Sequence, residues 1–559
     1  MNDLVIKNTL LFDGSKAPGR RASLAVAGGR IAAIGRDLGQ ARQEIDADGL
    51  ALAPGIIDTH THYDAQITWD SGLHPSPELG VTTAVIGNCG FTIAPCRPEH
   101  RDITMRNLTH VEGMSLDVLR QGISWEFETF PEYLALIERL GSVPNVAAFI
   151  GHSSLRTWVM GDDATRRAGT PAEIAEMRRL IGEALAAGAV GFATSTAPQH
   201  NGEGGTPMPS RLADESELRQ LVGALGEAGR GVFMLTKGAG TTVPFLETLA
   251  ADTARPVVIA ALLHNPVLPE AAFNDLRAIG AAQARGRRLF GQVSCCPLTN
   301  EFTLRSPYPF EGMAAWLPAM QAEGEALKRV YADPDFRRRV DAELATPAAI
   351  RLFNGEWDKL HLLEAARPEN RRHEGRSVAE LARAAGQTPL DWLLDFSLSE
   401  NLDTIFIAVL LNNDEDAVGR MLCDPFASIA LSDAGAHLTF FCDAGFGLHL
   451  LGHWVRERGT LEMAEAVWQL SGRPAEIFGL ADRGRLTPSL AADLLLFDPA
   501  RVGRGPSRRV FDLPGGAARL TTAALGVHGV WVNGVAVADS SGAVAGEARP
   551  GRLLRDFAG

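Results

Sequence analysis

His60 and His62 stand one residue apart and follow the apolar run Gly55-Ile56-Ile57. On a β-strand alternate side chains share a face, so such a pair delivers two imidazoles to one metal ion. A lone His-x-His is more often two hydrogen-bonded core histidines, so its neighbours matter. Cys89, His152, Lys237, His264 and Asp433 each close an apolar run of their own, in VTTAVIGNCG, NVAAFIGHSS, GVFMLTK, PVVIAALLH and SIALSDAGAH. Singly, each has a bland reading: a small buried thiol for Cys89, a helix cap for Asp433. Together, imidazole, thiolate and carboxylate at one end of so many strands predict a transition-metal centre, with zinc preferred over magnesium or calcium.

The elements that would position these groups alternate. Eight strand candidates, at 55–62, 81–90, 145–154, 189–195, 231–237, 256–264, 289–296 and 428–437, are separated by amphipathic stretches such as PAEIAEMRRLIGEALAAG. This is the pattern of a (β/α)8 barrel, an α/β fold whose chemistry sits at the carboxyl ends of the strands. Residues 297–427 are too long for one crossover and predict a helical insertion at the barrel mouth. Residues 1–54 and 485–559 carry short strands broken by turns, which predicts a small β-sandwich built from both termini around a barrel over 55–484.

At 559 residues and 46% hydrophobic, the chain can bury a large core, and its net charge of −14 argues against nucleic-acid or anionic-membrane partners. No stretch reads as a membrane span or secretion signal, and six scattered cysteines fit reduced thiols, so a cytoplasmic protein acting on a small molecule is expected. A homo-oligomer is left open.

The blocks PGIIDTHTHYDAQITWD, GVTTAVIGNCGFTIAPCRP, SDAGAH and AADLLLFDP resemble the amidohydrolase superfamily, in its D-aminoacylase (N-acyl-D-amino-acid deacylase) branch. The resemblance implies hydrolysis of an N-acyl bond at one or two zinc ions. By position it matches His60 and His62 to the His-x-His ligands, Cys89 to the zinc thiolate, His264 to the strand-six histidine and Asp433 to the catalytic aspartate; metal chemistry then makes Asp433, beside the metal, the base for its water, and His152, at its own strand end, an aid to the developing oxyanion. The chain departs from the branch in three places. Lys237 replaces a strand-five histidine and becomes a ligand only if carboxylated, since an ammonium has no lone pair to offer; the other reading is an amine that binds substrate, and the ligand reading is the one taken. Asn265-Pro266 replaces a lysine after His264. The segment after Asp433 lacks the arginine used for the substrate carboxylate, leaving Arg156, Arg305 and His437 as candidate substrate contacts. The alternatives are a cyclic-amide hydrolase of the hydantoinase or dihydroorotase kind, whose strand-four lysine AVGFATS lacks, and a non-catalytic barrel scaffold.

Overall fold

The eight predicted barrel strands all form, each shorter than its apolar run. In the computed structural model every residue is described except 112, 203–204, 311, 349–350, 438–441, 545, 547 and 558–559. Five strands come first: β1 (Asn2–Leu11), β2 (Arg20–Ala27), β3 (Arg30–Gly35), β4 (Ala41–Asp46) and β5 (Ala51–Pro54). The barrel then begins with β6 (Ile56–Asp58), β7 (Val81–Ile86), β8 (Asn145–Gly151) and β9 (Gly191–Ser195). It continues with β10 (Val232–Thr236), β11 (Val257–Leu262) and β12 (Leu289–Val293). Among the described residues these strands and β16 (Ala427–Ile429) form an eight-stranded parallel sheet in chain order. Strands covered on both faces are predominantly apolar, and β7, β8, β9 and β10, which carry no charged residue, are buried at every position.

The first and last barrel strands meet just beyond their regular ends. Thr61 pairs in parallel with Ala434, and the His62 N–H donates to the Ala434 carbonyl at 2.7 Å. That contact closes the sheet into a barrel and lays the Asp433 segment against the His-x-His segment.

Between β12 and β16 the insertion holds, besides helices, an antiparallel sheet that its helical reading left out: β13 (Leu298–Phe302), β14 (Leu360–Glu364) and β15 (Ile405–Leu411), with β15 central. β15 alternates between buried and half-buried positions, the period of a sheet with one covered face. The insertion has its own core, in which Phe310 stacks on Trp316 at 4.3 Å between centroids.

After the barrel come β17 (Leu494–Phe497), β18 (Gly503–Leu513), β19 (Ala517–Leu525), β20 (Val527–Val532), β21 (Val535–Asp539) and β22 (Gly542–Ala543). β17 pairs antiparallel with β5, so both ends of the chain share one nine-stranded sheet. Alternation along β17 serves two cores: Leu494 and Leu496 pack with Leu4, Leu24 and Trp531, while Leu495 and Phe497 join the barrel core. β18 and β19 form a separate hairpin.

Asn412, just past β15, ties the insertion to the barrel. Its amide nitrogen donates to the Ser294 and Cys296 carbonyls at 2.8 Å each. Its amide oxygen accepts from the His264 N–H at 3.2 Å, and its backbone N–H donates to the His264 carbonyl at 2.8 Å. The loops after β11 and β12 are thus held by one buried side chain. Asn412→Ala leaves two carbonyls and one N–H without these partners, each costing about 1–3 kcal/mol where water does not replace it. Scanning calorimetry should show unfolding at lower temperature than the parent; an unchanged transition would mean the loops are held by other contacts.

Candidate metal centre

Strands β6 and β7 present three donors to one point. His60, His62 and Cys89 are all buried, and one ligand atom from each lies within 4.8 Å of the other two. The Cys89 sulfur is 3.6 Å from His60 Nε2. Asp433 joins from the β16 end, its Oδ1 lying 3.3 Å from His60 Nε2 and 3.5 Å from His62 Nε2. These four side chains line a cavity of about 390 Å³, measured with its open mouth, which Phe91, Thr236, His200 and His437 also line.

The local backbone is built for this convergence. Cys89 sits at φ 55° and Asp433 at φ 45°, left-handed conformations that non-glycine residues adopt where the surrounding structure enforces them. Gly435, at φ +93°, passes so close to the His-x-His segment that a Cβ there would stand 2.7 Å from the His62 carbonyl carbon. The Ser-Asp-Ala-Gly-Ala-His order is therefore dictated by backbone approach as well as by chemistry.

The electrostatics are coupled. Burial alone would raise the Cys89 thiol, but the hydrogen bonds and charges of His60 and His62 outweigh it and bring the thiol below its ordinary value. Burial would likewise raise the Asp433 carboxyl, yet His60, His62 and His437 hold it well below the usual carboxylate range. For His60 burial pulls the other way, and the partners Cys89 and Asp433 leave it raised. His60 Nδ1 lies 2.8 Å from Gln292 Oε1, whose amide nitrogen donates to Thr59 Oγ1 at 3.2 Å. With Nδ1–H donated to that oxygen, Nε2 keeps its lone pair for the centre, the outer-shell arrangement typical of metal-bound imidazole. Buried imidazoles and a thiolate-prone cysteine on one cavity fit a borderline-soft divalent ion.

The other predicted residues fall elsewhere, except His437, which lines the cavity with its ring 6.1 Å from that of Tyr308. Lys237 points to the outer layer, its ammonium 2.8 Å from Asp275 Oδ2. Strand alternation is the reason: Thr236 faces inward, its hydroxyl 3.0 Å from the Cys89 sulfur, so the next residue faces out. His264 is buried just past β11, but it belongs neither to the three-donor group nor to the cavity wall, where β11 offers Ala261. His152 has both ring nitrogens engaged, Nδ1 with Thr194 Oγ1 at 2.8 Å and Nε2 with Glu217 Oε1 at 3.0 Å. Arg156, fully buried, is paired with the same Glu217. Arg305 lies on the insertion surface against Asp403 and the Asn401 carbonyl. The structure thus does not bring His152, Arg156 or Arg305 into the cavity: none lines it, and each is paired elsewhere, the first two with Glu217 and the third with Asp403. Residues 438–441, in the segment lacking the expected arginine, and 203–204 of the glycine-rich stretch 201–210 lie outside the described residues.

Sequence reasoning missed Gln292, Thr236 and His200. Gln292 reads as an ordinary polar residue inside LFGQVSCC, and Thr236 stands beside a lysine that closes the apolar run. His200, whose Nδ1 is 2.6 Å from Ser195 Oγ and whose ring meets the Phe91 edge at 5.1 Å, comes from a loop with no periodic signal.

The chain is similar over its length to known proteins of one family. The model of the amidohydrolase family matches residues 43–203 and 344–538. The D-aminoacylase of Alcaligenes xylosoxydans xylosoxydans is 30% identical over 547 residues, 96% of this chain and 94% of that protein. A solved structure of D-aminoacylase, described for its binuclear metal center, superposes with a TM-score of 0.68 at 27% identity, covering 100% of both chains. A Bordetella bronchiseptica N-acyl-D-glutamate deacylase, complexed with zinc and a phosphonate inhibitor, gives 0.69 at 26% identity over 99% of this chain and 100% of that one.

The Glu217 network yields a stability test. Burial raises the Glu217 carboxyl, but His152 and Arg156 more than reverse this and bring it down to about 2. A depressed carboxyl contributes stability that is present above the ordinary carboxylate range near 4.3 and lost as pH falls towards the folded value. Burial also lowers His152, so acid opposes the native state through both groups. Glu217→Gln leaves the Arg156 charge buried without its counter-ion, at a cost of roughly 3–5 kcal/mol. Thermal unfolding followed from pH 7 to pH 3 should start lower in the variant and fall less with acid; parallel curves for the two proteins would contradict the assignment.

Proposed function

The chain belongs to the amidohydrolase family, and from that premise we propose that it hydrolyses the N-acyl bond of an N-acyl amino acid, most favourably of the D series, with zinc bound at His60, His62 and Cys89. The observation that carries the reading is the convergence of these donors and Asp433 on one cavity at the carboxyl ends of the barrel strands. Full-length similarity to a D-aminoacylase supports the linear N-acyl substrate. The chemistry zinc supplies when held by such donors is Lewis acidity: activation of water near neutral pH and polarisation of an acyl carbonyl.

The chain's own residues do the rest. Asp433, ionised and beside His60 and His62, takes the proton from the attacking water and passes it to the departing amine nitrogen. Gln292 fixes the plane of the His60 ring through Nδ1. Thr236 donates its hydroxyl hydrogen to the Cys89 thiolate and steadies its charge. Phe91, Val111 and Leu431 give the cavity an apolar wall suited to an acyl chain or a neutral side chain. The cyclic-amide alternative draws less support, because β9 reads Gly-Phe-Ala-Thr-Ser and offers no lysine to carboxylate. A site that depends on a reduced thiol belongs in a reducing compartment; the six cysteines are free, and we place the protein in the cytoplasm.

A panel of N-acyl D- and L-amino acids and cyclic amides, assayed with zinc, tests the substrate class. Release of free D-amino acid is expected; turnover confined to hydantoins or dihydropyrimidines would reverse the assignment. Asp433→Asn keeps the shape and removes the base, so kcat should fall about a hundredfold or more. Turnover at the parental rate would take Asp433 out of the mechanism. Cys89→Ala should lower zinc content by elemental analysis, whereas Cys96→Ala should not, since Cys96 Sγ lies 3.5 Å from Thr104 Oγ1, outside the donor group.

A further inference from the structure

We infer that this chain binds one metal ion per molecule, on His60, His62 and Cys89 with Asp433 beside them, and that it has no second ion at the ends of β10 and β11. This deepens the metal-dependent reading above and rests on it. A two-ion centre places its ions about 3.5–4 Å apart and needs a second set of donors, one of them shared. The ends of β10 and β11 line the same cavity as Cys89, through Thr236 and Ala261, and a second set sharing the Cys89 sulfur would draw on them; His200 and His437 also line the cavity but lie outside the three-donor group. The structure spends both strand ends on other interactions.

At the end of β10 the inward side chain is a threonine. Its Oγ1 lies 3.0 Å from the Cys89 sulfur, and where that sulfur is the thiolate a metal requires, the hydroxyl must be the donor and engages electron density that a bridging sulfur would have to share. The metal-capable position next to it, Lys237, faces the outer layer by alternation and is ion-paired there, Nζ lying 3.0 Å from Asp275 Oδ1 and 2.8 Å from Oδ2. Asp275 belongs to the helix Ala271–Ala284, which follows β11 on the outside of the barrel. For Lys237 to ligate a metal, its ammonium would have to lose a proton, add carbon dioxide as the amine and lose a second proton, forming a carbamate. That converts an attractive pair into two negative charges at the same spacing, and like charges that close oppose ionisation.

At the end of β11 the cavity wall is Ala261, which has no donor. His264, three residues on, is anchored through its backbone N–H and carbonyl to Asn412. Among the described residues His264 is outside the one group of metal-capable side chains, and its Nδ1 makes no hydrogen bond. The cavity's two walls are therefore unlike: β6, β7 and the residues after β16 bring donors, while β10 and β11 bring a hydroxyl and a methyl group.

The test counts metal on the full-length protein. The purified chain is stripped with chelator, reloaded separately with excess zinc and cobalt(II), desalted, and its metal-to-protein ratio read by elemental analysis. One ion per chain is expected, together with a thiolate-to-cobalt charge-transfer band that Cys89→Ser abolishes. Lys237→Gln, Asp275→Asn and His264→Gln should each retain the ratio of one and the band, with circular dichroism confirming that each variant is folded. A ratio of two in the parent overturns the inference and leaves the metal-dependent reading intact. So does loss of the ion in folded Lys237→Gln or His264→Gln, because those side chains would then be ligands. A folded parent that takes up no zinc and no cobalt overturns both. A carbamate resonance in the carbon-13 spectrum of protein equilibrated with labelled bicarbonate, absent from Lys237→Gln, would also count against it.

Discussion

Everything at the cavity depends on how the barrel closes. The parallel pairing of Thr61 with Ala434 is one bridge long, yet the segments on either side of it are pinned by further bonds. The His62 N–H reaches the Ala434 carbonyl at 2.7 Å, the Asp433 N–H reaches the His60 carbonyl at 3.2 Å, and the Ser432 hydroxyl reaches that same carbonyl at 3.1 Å. The backbones of the two segments thus hold each other in register, and the side chains of His60, His62 and Asp433 inherit their separation from that register. A carboxylate and two imidazoles placed by backbone bonds need no side-chain rearrangement to meet a charged ligand, the preorganisation on which electrostatic stabilisation of a reaction rests. Gly435 is the condition for this approach, because a side chain there would collide with the His62 carbonyl.

The same closure explains why the coupled charges are tolerated. Burial would favour the neutral forms of Cys89 and Asp433, and the imidazoles within reach more than reverse this, bringing each below its ordinary value. The network is therefore mutual: the imidazoles favour the charged forms of Cys89 and Asp433, and these in turn raise His60. A divalent cation placed among them would take over the role of the protonated imidazoles and leave their nitrogen lone pairs for ligation. Gln292 is the outer support, since it settles which nitrogen of His60 points inward.

Much of this was legible in the chain. The eight runs were readable because parallel barrel strands are covered on both faces and so carry few polar residues, and no charged one in Val81–Ile86 or Asn145–Gly151. His60, His62, Cys89 and Asp433 were readable because they follow such runs directly. The insertion was less so. Its strand Ile405–Leu411 is only half covered, and a seven-residue apolar segment between helices does not declare its period. The substrate-side residues were the least legible. Arg156 has the composition of a carboxylate binder, but only the fold shows that Glu217, 61 residues away, already occupies it.

Lys237 shows where position in a motif and position in space part company. Counting from the end of the apolar run places it among the strand-end ligands, and resemblance to relatives with a histidine there strengthens the expectation. A strand, however, turns each successive side chain to the opposite face, so a shift of one residue moves a group from the cavity to the helical layer. Thr236 takes the inward place and Lys237 the outward one, where Asp275 stands ready to pair with it. The substitution of a cation for a ligand is then consistent with its surroundings: an outward ammonium needs a carboxylate on the adjacent helix, and an inward hydroxyl needs an acceptor, which the Cys89 sulfur provides. The two adjacent residues and their two partners form one arrangement, in which the strand end stabilises the thiolate by a hydrogen bond and contributes no donor of its own to a metal.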